Sequence, residues 1–152
     1  MPLPRSLPLA ASIAIVLTLL AQQSPAIAQA YFASRFTFCH SGGGVNCVVD
    51  GDTFWMGGEK VRIADIDTPE THSPRCEAER ALGARATRRL QALLNAGAFS
   101  MRRIDRDRDR YGRLLRIVTR DGRSIGSMLV TEGLARPWTG SRQPWCSTNS
   151  RR

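Results

Sequence analysis

The chain has 152 residues and carries 22 basic against 13 acidic side chains, a formal net charge of +9 at pH 7. That length suggests one domain, and the charge balance favours polyanionic partners, since each phosphate neutralised releases counterions. Arginine supplies almost all of the positive charge, Lys60 being the single lysine.

Residues 1–30 read as a secretory signal peptide. Arg5 gives a short positive start, residues 7–21 are apolar and uncharged, and "QQSPAIAQA" offers Ala-x-Ala cleavage sites after Ala28 or Ala30. The apolar run is shorter than the ~20 residues a membrane-spanning helix needs, so a permanent anchor is the lesser reading. No cysteine lies in this segment, which argues against a lipid-anchored precursor. Cleavage would take Arg5 and no acid from the total of +9, leaving +8 on a chain still long enough for one modest core.

All four cysteines, Cys39, Cys47, Cys76 and Cys146, follow that segment, and an even number in an oxidising compartment suggests two disulfides. Three pairings are open. Cys39 with Cys47 would close the Gly-rich loop "CHSGGGVNC", and Cys76 with Cys146 would then tie the C-terminal tail to the middle of the domain. A zinc site using His40 and these cysteines competes with that reading, but the spacing fits no common zinc pattern.

Next along the chain, "RFTFCH" and "VNCVVDGDTFWM" contain residue types that suit strands, with "DGD" as a bend or bulge and Gly57-Gly58 as a turn. "EKVRIADI" is the returning strand. From residue 73 to 97 the period becomes helical, with Leu82, Ala86, Leu90, Leu93 and Leu94 as the apolar stripe. Ser73 and Pro74 suit the helix start and Gly97 its stop. "AFSMRRID" and "RLLRIVTR" read as two further strands separated by "RDRDRYG", an alternating run expected to be solvated and self-paired. Asp121-Gly122 marks a tight turn, and "SIGSMLVTEG" a short helix ended by Gly133. The tail shows no periodicity and is expected to be irregular to Cys146 and frayed over 147–152. The pattern fits a single α+β domain over residues 31–146, built on a curled sheet.

Three segments could converge if that sheet curls: "VDGDT" with Asp50 and Asp52, "RIADIDTPET" with Arg62, Asp67, Thr68 and Glu70, and "DRYGR" with Tyr111 and Arg113. Carboxylates from separate segments plus a main-chain carbonyl are oxygen ligands of the kind a hard cation such as Ca2+ takes. Arg62 and Arg113 could grip a phosphate by bidentate hydrogen bonds, and Glu70 could orient or deprotonate a water. Together these make an arrangement for phosphodiester hydrolysis. Taken singly each piece has a plainer reading, as a turn, a capped loop or a solvated charge run.

The run "VVDGDTFWMGGEKVRIADIDTPET", followed by a helix, "DRYGR" and "LVTEGLA", resembles the staphylococcal nuclease (thermonuclease) family from about Cys47 to Trp138, with the blocks in the family's order. The resemblance implies a five-stranded OB-fold β-barrel with packed helices. It also implies a Ca2+-dependent phosphodiesterase acting on DNA and RNA and leaving 3′-phosphate ends. On it, Asp52 and Asp67 are metal carboxylates, Thr68 gives its carbonyl, Glu70 acts on the attacking water, and Arg62 and Arg113 bind the scissile phosphate. Asp50 lies beside the metal without binding it, and Arg110 and Tyr111 contact a terminal phosphate of the substrate.

The chain departs from the best-known members in three ways. It lacks their long C-terminal helix, which a Cys76–Cys146 bridge could replace. It contains cysteines. It has Asp65 where an apolar or small residue is usual, expected as a rim charge paired with a nearby arginine. His40 and His72 are expected to face solvent. The expected protein is a secreted or periplasmic monomeric nuclease of single strands or frayed ends, free of the membrane after cleavage. The competing reading is a non-catalytic nucleic-acid-binding OB module.

Overall fold

A computed structural model describes residues 31–32, 34–40 and 44–146; the expected signal peptide and the expected frayed tail lie outside the described residues. In chain order the elements are β1 (Tyr31–Phe32), β2 (Thr37–Phe38), β3 (Cys47–Asp50), β4 (Thr53–Met56), β5 (Glu59–Ile63) and β6 (Ile66–Asp67). There follow α1 (Glu77–Asn95), β7 (Phe99–Arg108), β8 (Leu114–Arg120), β9 (Arg123–Ser124), α2 (Ile125–Thr131) and β10 (Arg136–Pro137).

The expected α+β class holds, and the sheet is mixed. β3, β4 and β5 form the antiparallel meander, with the register shifting between Val48 and Asp50 as β3 enters the Gly51–Asp52 bend. β5 then lies parallel to β8, which pairs antiparallel with β7. The main sheet runs β1-β7-β8-β5-β4-β3-β2, with β9 folded back on β8.

The expected closed five-stranded barrel is not what forms. Among the described residues no ladder joins β7 to β3. The edge of β7 at Phe99 and Ser100 is taken by β1, and that of β3 at Cys47 and Val48 by β2. The connection between β1 and β2 is held by helix rather than sheet: Asn95 of α1 accepts from Phe36 N at 2.8 Å and donates to Phe36 O at 2.9 Å. The Phe36 side chain fills the gap, packed edge-on against Phe54 at 5.7 Å and tilted against Phe99 at 5.9 Å. Val48, Val61, Leu90, Leu94, Val118, Ile125 and Leu129 complete the buried core.

The predicted stripe of α1 is the buried one, with Leu82 half-buried at its edge. Its start moves from Ser73-Pro74 to Glu77, with Cys76 as an N-cap that makes no side-chain hydrogen bond. Two constraints move it. Cys76 is bridged to Cys146, and the buried Glu79 carboxylate takes the N–H of Arg75 at 2.7 Å, holding residues 70–75 in a loop. The helix lies flush on that loop because position 83 is glycine.

β7 runs on to Arg108, so half of the expected "RDRDRYG" connection is strand. Its charges pair as expected of an alternating run: Arg103 and Arg116 both reach Asp107, and Arg108 reaches Glu59. α2 starts at Ser124, whose hydroxyl accepts from Ser127 N at 3.1 Å and donates to Asp65 at 2.7 Å. Asp65 is therefore held by Ser124 at the start of α2, not by an arginine, because residues 124–126 reach it first. The tail is irregular except for β10, which pairs Arg136 with Asp67 and Pro137 with Ile66. His40 and His72 are exposed, as expected.

Both disulfides pair as first weighed, Cys39–Cys47 and Cys76–Cys146, and no described cysteine is free for zinc. Cys76, Glu79 and Cys146 cluster, but the bridged sulfurs carry no proton or charge to offer a cation. The 70-residue separation of the second bridge corresponds to a stabilisation of roughly 4 kcal/mol in the chain-entropy picture.

Gly83 yields a prediction of unusual sign. In an ordinary helix interior Gly→Ala stabilises by about 0.5–1 kcal/mol. Here a Cβ would lie 2.8 Å from the Pro69 carbonyl oxygen and 3.0 Å from that of Glu70. Gly83→Ala is expected to destabilise by about 1–3 kcal/mol in urea denaturation; an unchanged or raised midpoint would contradict the packing.

Candidate active site

The segments singled out in the sequence meet at one cleft of about 1050 Å³, whose walls include Asp50, Arg62, Glu70, Arg110, Tyr111 and Arg113. The bend after β3 presents Asp50 and Asp52, and it can lie close to the helix because a Cβ at Gly51 would come within 2.6 Å of Ala86 Cβ. β5 supplies Arg62. β6 ends in Asp67 and passes directly to Thr68 and Glu70, which rest on α1 at Gly83. The turn between β7 and β8 supplies Tyr111 and Arg113.

Asp52, Arg62, Asp67 and Thr68 are all buried. The Arg62 guanidinium stands between the two aspartates, its Nη2 being 3.2 Å from Asp52 Oδ2 and 3.7 Å from Asp67 Oδ1. Neither contact has hydrogen-bond geometry, so both oxygens are buried without a donor. The Nη1 of Arg62 is committed elsewhere, donating to the carbonyls of Ile63 at 3.0 Å and Ile66 at 3.2 Å. The other Asp52 oxygen accepts from Thr53 Oγ1 at 2.7 Å.

Negative charge is thus crowded. Burial, then the neighbouring Asp52 charge, pushes Asp50 up to about 7. Burial also raises Asp67, opposed by Arg142 and by the Trp145 hydrogen bond. Carboxylate oxygens that are buried, donor-free and short of positive charge suit a hard divalent cation. Asp52 and Asp67 have the chemistry expected of cation ligands, and Thr68, next to Asp67 in sequence, is buried.

Arg113 is aimed by a residue that the sequence reading passed over. Asp109 accepts from Arg113 Nε at 2.7 Å and from the Arg113 and Tyr111 main-chain N–H groups. Burial raises Asp109, but these bonds outweigh it and leave its carboxyl below the usual range. Arg113 Nη1 reaches Thr53 Oγ1 at 3.4 Å, which links this turn to Asp52. At the cleft mouth Tyr111 is exposed, with the Arg110 guanidinium over its ring and bonded to its hydroxyl at 2.6 Å.

The tail is the second omission. Trp138 covers the Arg62 guanidinium at 5.1 Å, and Trp145 Nε1 donates to Asp67 Oδ2 at 3.2 Å. Arg142 Nε lies 3.4 Å from Asp67 Oδ1, and its Nη1 pairs with Glu70. In sequence the "D-x-x-x-R" spacing within "DRDRYGR" was a readable sign of the Asp109–Arg113 pair, whereas nothing local marked the tail.

Residues 60–150 match the family described as Staphylococcal nuclease homologue. Among curated proteins, the chain is 41% identical over 93 residues to endonuclease YncB of Bacillus subtilis, covering 58% of this chain and 44% of that one. It is 42% identical over 93 residues to the SPbeta prophage-derived endonuclease YokF of the same organism, covering 58% of this chain and 31% of the relative. The chain thus spans less than half the length of these two relatives. With the family match covering more than half of its residues, the chain belongs to the staphylococcal nuclease homologue family.

Proposed function

We propose that the chain is an exported, Ca2+-dependent nuclease that hydrolyses phosphodiester bonds of DNA and RNA with little sequence preference and leaves 3′-phosphate ends. The observation that carries this reading is the pair of buried oxygens without a hydrogen-bond donor, Asp52 Oδ2 and Asp67 Oδ1, on either side of the Arg62 guanidinium, with Arg142 also near Asp67, beside a cleft edged with arginines. A nucleic-acid-binding module would gain nothing from acids held against a polyanion. The names of the two curated relatives point to the same chemistry. Export is supported by the N-terminal pattern of the sequence and by two disulfides.

Asp52, Asp67 and the Thr68 carbonyl would hold the Ca2+. When bound, that ion supplies positive charge to a phosphate oxygen and to the attacking water. Arg113, held by Asp109, presents its remaining N–H groups to the phosphate without first having to be ordered. Arg62 offers Nη2, its Nη1 being fixed by main-chain carbonyls. Glu70 sits where β6 gives way to the loop, near enough to the acids to orient a water or take its proton. Arg110 and Tyr111, at the mouth, would meet a terminal phosphate. The cleft admits a backbone more easily than a paired duplex, which favours single strands and frayed ends.

Cleavage of single-stranded DNA by the protein with and without Ca2+, beside Glu70→Gln and Arg113→Ala, tests the reading. Each substitution, and chelation, should reduce the rate by about 100-fold or more. Cleavage indifferent to all three sinks the mechanism, and binding without cleavage in Ca2+ leaves only a nucleic-acid-binding domain.

A second check needs no turnover. Ca2+ at about 100 times its Kd should stabilise the wild type by about 2.7 kcal/mol. Asp67→Asn should abolish that gain in a thermal melt; an equal gain in the variant would remove Asp67 from the ligand set.

A further inference from the structure

The tail does more than close the core. β10 fixes one end of the segment on β6, next to Asp67, and the Cys76–Cys146 bridge fixes the other at the start of α1. Between these points the loop folds on itself. Arg136 stacks on the Trp145 ring at 3.8 Å and donates to the Pro144 carbonyl at 3.0 Å, while Trp138 N donates to the Asp65 carbonyl at 2.9 Å. A loop held at both ends and braced within places its side chains without much further loss of freedom.

Arg142 is the side chain so placed. It is exposed, yet it pairs with Glu70 and approaches Asp67, two of the acids on which the proposed chemistry depends. Both contacts are ion pairs, and Asp67 Oδ1 is still left without a hydrogen-bond donor. The main chain of Glu70 rests on α1, but its side chain has little else to hold it. Its main-chain N–H reaches Glu79 only at 3.5 Å, and Arg142 is its carboxylate's only ion-pair partner among the described residues. The sulfur of Cys146 lies 3.7 Å from Glu79, so the bridge abuts the carboxylate that shapes the Glu70 loop.

We propose that Arg142, delivered by the disulfide-tied tail, is a positioning residue that fixes the carboxylate of Glu70, so that cleavage depends on the oxidised Cys76–Cys146 bridge. The proposal rests on the nuclease reading above and goes beyond it, because it makes the disulfide-tied segment a piece of the site itself. It carries an opposed pair of consequences. Removing Arg142 frees Glu70 and so lowers kcat. It also removes a cation 3.4 Å from the Asp67 oxygen that would bind Ca2+, and so strengthens Ca2+ binding.

The experiment uses the full disulfide-bonded protein, with Ca2+ affinity measured by calorimetry without substrate and cleavage of a single-stranded oligonucleotide measured separately. Arg142→Gln should lower kcat by about 10- to 100-fold at nearly constant KM, and Arg142→Lys should recover part of it. The same Gln variant should bind Ca2+ about threefold to tenfold more tightly. The paired change Cys76→Ser with Cys146→Ser should lower kcat to a similar level, and adding Arg142→Gln to it should cost little more. An unchanged kcat, a loss confined to KM, or joint loss of Ca2+ affinity and kcat without rescue by lysine would each overturn the role. Losses from the bridge and from Arg142 that multiply would overturn delivery by the disulfide. Glu70→Gln is run alongside: if it cleaves like the wild type, the nuclease mechanism itself fails, whereas the Ca2+ affinity change still reports on Arg142.

Discussion

The buried guanidinium of Arg62 joins the sheet to the site. Its main chain belongs to β5, its Nη1 holds the carbonyls of Ile63 and Ile66, and its Nη2 faces Asp52 and Asp67. A buried cation must be paired, and this one is shared between two carboxylates with a third, Asp50, beside them. Arg62, with the exposed Arg142 beside Asp67, does not fully offset that group, and Asp50 is pushed up to about 7 by burial and by Asp52. Apolar residues of similar volume would make a more stable floor for this cleft. Buried carboxylate oxygens left without donors are a frequent mark of a ligand site, and on the proposed function a divalent cation would offset the imbalance.

The acids are carried on turns, yet those turns are not loose, because one face of α1 lies behind them. Glu79, Gly83 and Ala86 follow at helical spacing and are all buried. Glu79 receives the N–H groups of the 70–75 loop, Gly83 admits the carbonyls of Pro69 and Glu70, and Ala86 meets the bend at Gly51. The same face continues into Leu90 and Leu94 of the core. The helix thus converts core packing into the placement of Asp50, Asp52 and Glu70. Arg89 and Glu132 then lock α1 to α2 through a forked ion pair on the surface.

What the sequence made legible was local. Gly57-Gly58 and Asp121-Gly122 marked their turns, the leucine stripe marked α1, and Ser124 with Gly133 bounded α2, because each signal sits within a few residues of what it determines. The acids and arginines of the cleft were legible by resemblance, since spacing alone could not say that three distant segments meet. The failures were long-range. Trp145 finds Asp67 across 78 residues, and the bridge joins positions 70 apart. No periodicity reports such contacts. Asp65 was assigned an arginine on charge alone, although a hydroxyl brought by α2 lies closer. The barrel was expected to close on itself, but Phe36 and Asn95 provide a side-chain and helix closure that no strand pattern encodes.

The arginine excess also reads differently once its partners are known. Along β7 and β8, Arg103, Arg108 and Arg116 are paired with Asp107 and Glu59, so much of the basic run neutralises its own acids. At physiological ionic strength the Debye length is about 8 Å, which confines an exposed charge to its neighbourhood. Net charge can draw a polyanion towards the protein, but it cannot decide where the strand lies. That falls to the arginines bordering the cleft, Arg62, Arg75, Arg106, Arg110, Arg113 and Arg142. They surround acids that would repel the same strand. On the proposed mechanism a phosphate enters only when the positive rim acts together with a cation held by Asp52 and Asp67, which would make approach of the polyanion conditional on the metal.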